Sequence, residues 1–96
     1  MARFKVSAKA NKDLLDIGLY TQNKFGIQQR NKYLDSIVAK FEILANKPEL
    51  GLKRSHLRVD YYSSFIQKHI IFYKKYNYGI RIIRVLHQSM DFDNHL

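Results

Sequence analysis

The residues best placed to do chemistry are Arg81, Arg84 and His87, all within or beside the run IIRVLHQSMD at 82–91. Lys53, Arg54 and Arg58 supply further cations from an upstream segment that also holds His56. Cleaving RNA without a metal needs a group to take the 2′-hydroxyl proton, a group to protonate the leaving oxygen, and cations on the phosphate. Arg81, Arg84 and His87 supply those types, but strand alternation separates them. Arg81, Ile83, Val85 and His87 would point one way, and Ile82, Arg84 and Leu86 the other, unless a bulge intervenes.

Other chemistries lack their parts. Four scattered glycines build neither a phosphate-cradling loop nor a GxSxG elbow. Glu42 and Glu49 are the only glutamates, and a paired-carboxylate mechanism using Asp91 and Asp93 would rest on a terminal tail that is hard to hold rigid. Cysteine is absent and the four histidines have no helical i, i+4 spacing, so neither a metal site nor a cofactor is expected. Without cysteine, a signal-like apolar N-terminal stretch or an apolar run near the roughly 20 residues of a membrane span, the chain suits a reducing cytoplasm, with no membrane partner.

Ninety-six residues imply one domain, 1–96, and 46% hydrophobic residues are enough for one core. Seventeen Lys and Arg against eight acids give +9, which favours anionic partners. The excess is concentrated late: from Lys53 to Met90 there are eight Lys or Arg and one acid, Asp60. Tyrosines 61, 62, 73, 76 and 78, with Phe65, Phe72 and His69, alternate there with Lys68, Lys74 and Lys75. Stacking platforms for unpaired bases have this composition, as do sheet cores with tyrosine rims.

The elements that must position these residues follow from spacing. Arg3 to Val6 alternates as a short strand with Phe4 and Val6 on its buried side. Ser7 is an N-cap, and Ala10, Leu14, Ile17, Gly18, Thr21 and Phe25 form the buried stripe of a helix that Gly26 ends in a left-handed conformation. Tyr33, Leu34, Ile37, Val38, Phe41, Leu44 and Ala45 form a second stripe, stopped by Asn46, Lys47 and Pro48. So short a link predicts an antiparallel helical hairpin. A loop over 48–57 precedes three strands, at 59–65, 68–74 and 80–87. Asn77 and Gly79 supply positive φ to the second turn, and the tail over 88–96 forms a short helical turn. The expected fold is α+β, in the order β-α-α-β-β-β: a helical hairpin on one face of a mostly antiparallel sheet whose other face is partly open. Leu15, Leu19 and Ile43 fall off the core stripes and suggest a second contact surface for an amphipathic segment.

With these elements in place, the chain resembles the ParE family of toxins from bacterial toxin–antitoxin modules, within the wider RelE/ParE superfamily. The likeness runs almost end to end, through SAKANKDLLDIGLYTQNKFGIQQRNKYLDSI, LANKPELG, HIIFYKK and IRVLHQSMD. It implies a helical hairpin against a small sheet, no cofactor and no catalytic set. It also implies growth inhibition by poisoning DNA gyrase, which would serve plasmid stabilisation. A cognate ParD-like antitoxin, through which operator DNA is bound indirectly, would neutralise the toxin. On this footing Arg81, Arg84, His87, Met90 and Asp91 are the expected target-binding residues, and Leu15, Leu19, Ile43, Lys53 and Arg58 the expected antitoxin-binding residues. RelE-like relatives are ribosome-dependent mRNA ribonucleases. That alternative would make Arg81, Arg84 and His87 catalytic, but glutamate is missing from the sheet region.

Overall fold

The computed structural model describes residues 3–96. Strand β1, Arg3–Val6, leads through Ser7 into helix α1, Ala8–Phe25. Ser7 caps that helix as expected: its Oγ accepts from the Ala10 N–H at 3.0 Å. Gly26 has φ 95° and ψ 172°, a region open to glycine alone, so the chain turns back within one residue into helix α2, Ile27–Asn46. Pro48 then opens a 3₁₀ turn, Pro48–Leu50.

The sheet has five strands in the order β1-β5-β4-β3-β2. They comprise β2, Leu52–Lys53; β3, Tyr61–Ile66; β4, His69–Tyr76; and β5, Gly79–His87. The sequence places 48–57 in a loop, and the structure adds the two-residue edge strand β2 there, antiparallel to β3. β1 pairs parallel to β5 and the other pairs are antiparallel, so the sheet is mixed. The last turn positions Gly79 at φ 148°, where a β-carbon would collide with the backbone of Arg3. Glycine is therefore what lets β1 dock. Asn77 does not take the expected positive φ; among the described residues, Asp60 and Gln67 are the non-glycine residues that do.

One core lies between the helical hairpin and the sheet, built on Ile37, Phe41, Leu44, Ile71, Tyr73, Ile80, Ile82 and Val85. The Tyr73 hydroxyl donates to the Pro48 carbonyl at 2.6 Å, and burial pushes its pKa up to about 12. Two residues of the expected stripes are exposed: Phe25 is 65% exposed, at the hairpin tip, and Val38 is 40% exposed. The sheet's outer face carries a smaller core of Ile70, Phe72 and Leu86, covered by Leu57, Phe92 and Leu96. The tail, with its helix α3, Phe92–His95, thus covers part of this face, in keeping with the partly open face expected.

One irregularity redirects the functional strand. Phe72 pairs with Arg84 and Tyr73 with Ile82, which leaves Ile83 as the extra residue of a bulge on β5. The plain alternation expected over 81–87 is therefore broken. Ile80, Ile82 and then Val85 belong to the helix-side core, whereas Leu86 belongs to the outer one. Arg81 and Arg84 thus share the outer side, and His87 turns to the helix side.

Candidate functional site

The bulge has a chemical consequence at the end of the sheet. It sets His87 opposite His69; without the extra residue His87 would face Lys68. The two imidazoles meet edge to face, with ring centroids 5.4 Å apart. They line a cleft of ≈ 890 Å³ between the C-terminal half of α1, the start of α2 and the β3–β4 turn. Tyr20, Lys24 and Phe25 of α1, Tyr33 of α2, and Lys68 and Met90 complete its chemistry.

The hydrogen bonds assign the imidazole protons. The Tyr33 hydroxyl is 2.7 Å from His69 Nδ1 and 3.2 Å from the Ile66 carbonyl. Both contacts are satisfied together when Nδ1–H donates to the hydroxyl and the hydroxyl donates to Ile66. His69 Nε2 then carries a lone pair. His87 Nδ1 accepts from the Ser89 N–H at 3.1 Å, so its proton lies on Nε2. One ring offers an acceptor and the other a donor. Burial lowers the His69 pKa from its ordinary 6.5, and His87 lowers it further while Asp13 opposes the shift.

This shift sets a pH dependence. Above about pH 6.5 the imidazole is neutral in both the folded and unfolded chains, and nothing is lost. As pH falls below that value the unfolded chain takes up the proton first, so stability declines until the folded imidazole protonates too. Urea midpoints at about pH 8 and about pH 5 should therefore differ, and His69→Gln should remove much of the difference.

The five residues expected to bind the target do not form one patch. His87 and Met90 line the cleft. Arg81 is exposed on the outer face, roughly 20 Å along β5 from His87 by strand geometry. Arg84 is withdrawn into an ion pair: Nε and Nη2 donate to the two carboxylate oxygens of Asp13, each at 2.8 Å. That hydrogen bonding raises its pKa. Asp91 caps α3, its Oδ1 accepting from the Asp93 N–H at 3.2 Å. Arg81, Arg84 and His87 thus do not converge as a catalytic set. No cluster of three metal-ligating side chains occurs among the described residues. Among them, no helix is long and apolar enough to cross a membrane.

Of the residues expected to meet an antitoxin, Leu15 and Leu19 lie one turn apart on α1, 64% and 53% exposed. Ile43 is also exposed, but nine residues from Leu34 place it about 180° round α2. Leu34 faces α1, within 3.3 Å of where a Gly18 β-carbon would sit, so Ile43 lies on a different flank. Lys53 is exposed on the edge strand β2, and Arg58 donates to the Leu57 and Leu96 carbonyls. Sequence reasoning passed over Lys24, placed Tyr33 only in the buried stripe of its helix, and named Lys68 and His69 only within the basic-aromatic run. The signal for His69 was the HIIFY strand itself, whose first residue meets His87 once the bulge is counted.

A two-helix hairpin over a five-stranded mixed sheet with a C-terminal strand ending in the cleft defines the RelE/ParE fold. A chain of the chromosomal ParDE toxin–antitoxin system from P. aeruginosa superposes with a TM-score of 0.77 at 19% identity, covering 91% of this chain and 96% of that one. A chain of the YoeB–YefM complex from Staphylococcus aureus gives 0.59 at 20% identity, covering 91% and 97%. The model of the ParE toxin of type II toxin–antitoxin systems matches residues 4–92. Toxin ParE1 of Caulobacter vibrioides is 36% identical over 100% of this chain and 99% of its own length. Toxin ParE1 of Mycobacterium tuberculosis is 30% identical over 99% and 98%. The chain belongs to the ParE toxin family of type II toxin–antitoxin systems.

Proposed function

We propose that this toxin inhibits growth in the cytoplasm by binding and poisoning DNA gyrase, and that a cognate ParD-like antitoxin neutralises it. The end-to-end family match carries this reading. The dispersal of Arg81, Arg84 and His87 supports it, since binding a protein target does not require them to converge on one atom. His87 and Met90, in a cleft with an apolar floor, and Arg81 on the outer face are contact residues in this view. Leu15 and Leu19 form the apolar part of the antitoxin contact, and the +9 charge suits an antitoxin segment that is partly acidic. Operator DNA is reached through the antitoxin. The test is direct. Adding the purified toxin at micromolar concentration should stop gyrase supercoiling and accumulate cleaved DNA; unchanged supercoiling and cleavage would overturn the reading.

A second reading rests on a specific observation. His69, His87, Tyr33, Lys24 and Lys68 line one cleft, and an acceptor and a donor imidazole beside cations are the parts of a metal-independent ribonuclease. Codon-specific mRNA cuts in cells expressing the toxin, lost in a folded His69→Ala, His87→Ala variant, would establish it. Full toxicity of that variant would remove it.

A further inference from the structure

The tail covers only half of the sheet's outer face. Phe92 packs edge-on against Phe72 with ring centroids 5.0 Å apart, and Leu57 and Leu96 complete that cover. Toward the β4–β5 turn the face is bare. There the register makes Lys5 the partner of Arg81, Arg81 the partner of Lys74, and Lys74 the partner of Tyr61. Their sequence neighbours Val6, Ile82, Tyr73 and Tyr62 all pack toward the helices, so these four side chains share the outer side. The result is one straight row across four strands, about 14 Å long at ordinary strand spacing.

Three cations directly opposite one another repel, which weakens a sheet. Nothing in the fold requires them. Neither core uses them, and among the described residues the only ion pairs are Lys12 with Asp16 and Arg84 with Asp13. The repulsion is relieved when an anion lies along the row. Aromatic rings also hold the ammonium groups in place. Lys5 Nζ is 4.7 Å from the Tyr78 ring centroid, and Lys74 Nζ is 5.9 Å and 5.8 Å from those of Tyr61 and Tyr76. Evenly spaced cations flanked by tyrosines match a polynucleotide strand, whose phosphates need the charge and whose unpaired bases have π-faces to stack. An acidic protein segment would need the cations but not the rings.

We propose that this half of the outer face binds single-stranded nucleic acid directly, with phosphates along Lys5, Arg81 and Lys74 and bases against Tyr61 and Tyr76. The surface lies on the opposite face from the His69–His87 cleft and at the opposite end of β4 and β5. It acts without the antitoxin, and the proposal does not depend on which molecule the toxin inhibits.

The test is fluorescence anisotropy of a labelled oligothymidylate of about 20 nucleotides, long enough to exceed one site. A protein at +9 binds polyanions by bulk charge, so the comparison is between variants of equal net charge. Lys74→Glu with Arg81→Glu should weaken binding roughly tenfold more than Lys9→Glu with Lys32→Glu on the helices, and should flatten the salt dependence by about 1.4 in log–log slope. Tyr61→Ala with Tyr76→Ala should weaken oligonucleotide binding about fivefold or more while leaving polyglutamate binding unchanged. Circular dichroism checks each fold, and Lys5→Gln with Lys74→Gln replaces the first pair if it does not fold. Equal weakening by the helix pair would overturn the proposal. So would tyrosine-independent binding with polyglutamate competing equally, which would assign the row to an acidic protein segment. Tighter, tyrosine-independent binding of a duplex would overturn the single-strand assignment.

Discussion

Replacing Asp13 with alanine should destabilise the fold by about 3 kcal/mol or more, because removing one partner leaves a largely buried charge uncompensated. For a domain this small that is a fall in thermal midpoint of roughly 12 °C or more. The reason lies in where β1 stops. It pairs with β5 only as far as Val6 and Ile82, so the next stretch of β5 has an open edge. Two side chains from the start of α1 close it. The Ser7 hydroxyl donates to the Ile83 carbonyl at 2.7 Å, and the Asp13 carboxylate accepts from the Val85 N–H at 3.0 Å. The same carboxylate holds Arg84 in a two-pronged pair, with the Arg84 and Asp13 side chains only 15% and 12% exposed. Arg84 Nη1 donates onward to the His95 carbonyl at 2.7 Å, so helix, bulged strand and tail meet at one guanidinium.

A double-mutant cycle distinguishes this account from a simple loss of packing. Arg84→Met added to Asp13→Ala should recover part of the lost stability, since the stranded charge is then gone. Urea titration of the four proteins measures it. A single Asp13→Ala cost under about 1 kcal/mol would show that the pair is solvated and the edge is closed by other means.

This cluster also marks the limit of what local patterns reveal. Ser7, the two helical stripes, Gly26, Pro48 and the three late strands are local signals, and each falls within a few residues of its place. Phe25 fits the helical period but is the last residue of α1, at the hairpin tip on the wall of the open cleft, so period alone could not bury it. The bulge at Ile83 is not local. It depends on how β4 and β5 fit Asp13 and β1, which lie about seventy residues away in the chain. That one extra residue decides which side His87 faces, pairs it with His69, and puts Arg84 on the outer side, where it meets Asp13, rather than on the helix side with Ile82. The site residues were therefore legible as types and as a strand, while their grouping was not. The row of Lys5, Arg81 and Lys74 was hidden for the same reason, since β1 joins it only through a parallel pairing across nearly the whole chain.

The helical hairpin yields the second large effect. Leu15→Glu with Leu19→Glu should leave the toxin folded and toxic but weaken capture by its antitoxin roughly 100-fold or more. Each leucine buried at a contact contributes about 1.5–3 kcal/mol, and two together exceed the roughly 2.7 kcal/mol that 100-fold represents. Glutamate is a good helix former, and both sites are exposed on α1, so the cost to the monomer should stay within about 1 kcal/mol. The new charges also repel an acidic segment, which adds to the loss. Ile43→Glu is the informative companion. Because Ile43 lies about 180° from the α1-facing side of α2, it should change antitoxin affinity less than about tenfold if the segment follows the Leu15–Leu19 stripe. Calorimetric titration with the antitoxin, alongside growth of cells expressing both partners, measures both variants. Restored toxicity in the presence of antitoxin is the expected outcome for the leucine pair. Full neutralisation of that variant would move the contact off α1, and an equal effect at Ile43 would mean that the antitoxin wraps both flanks of the hairpin.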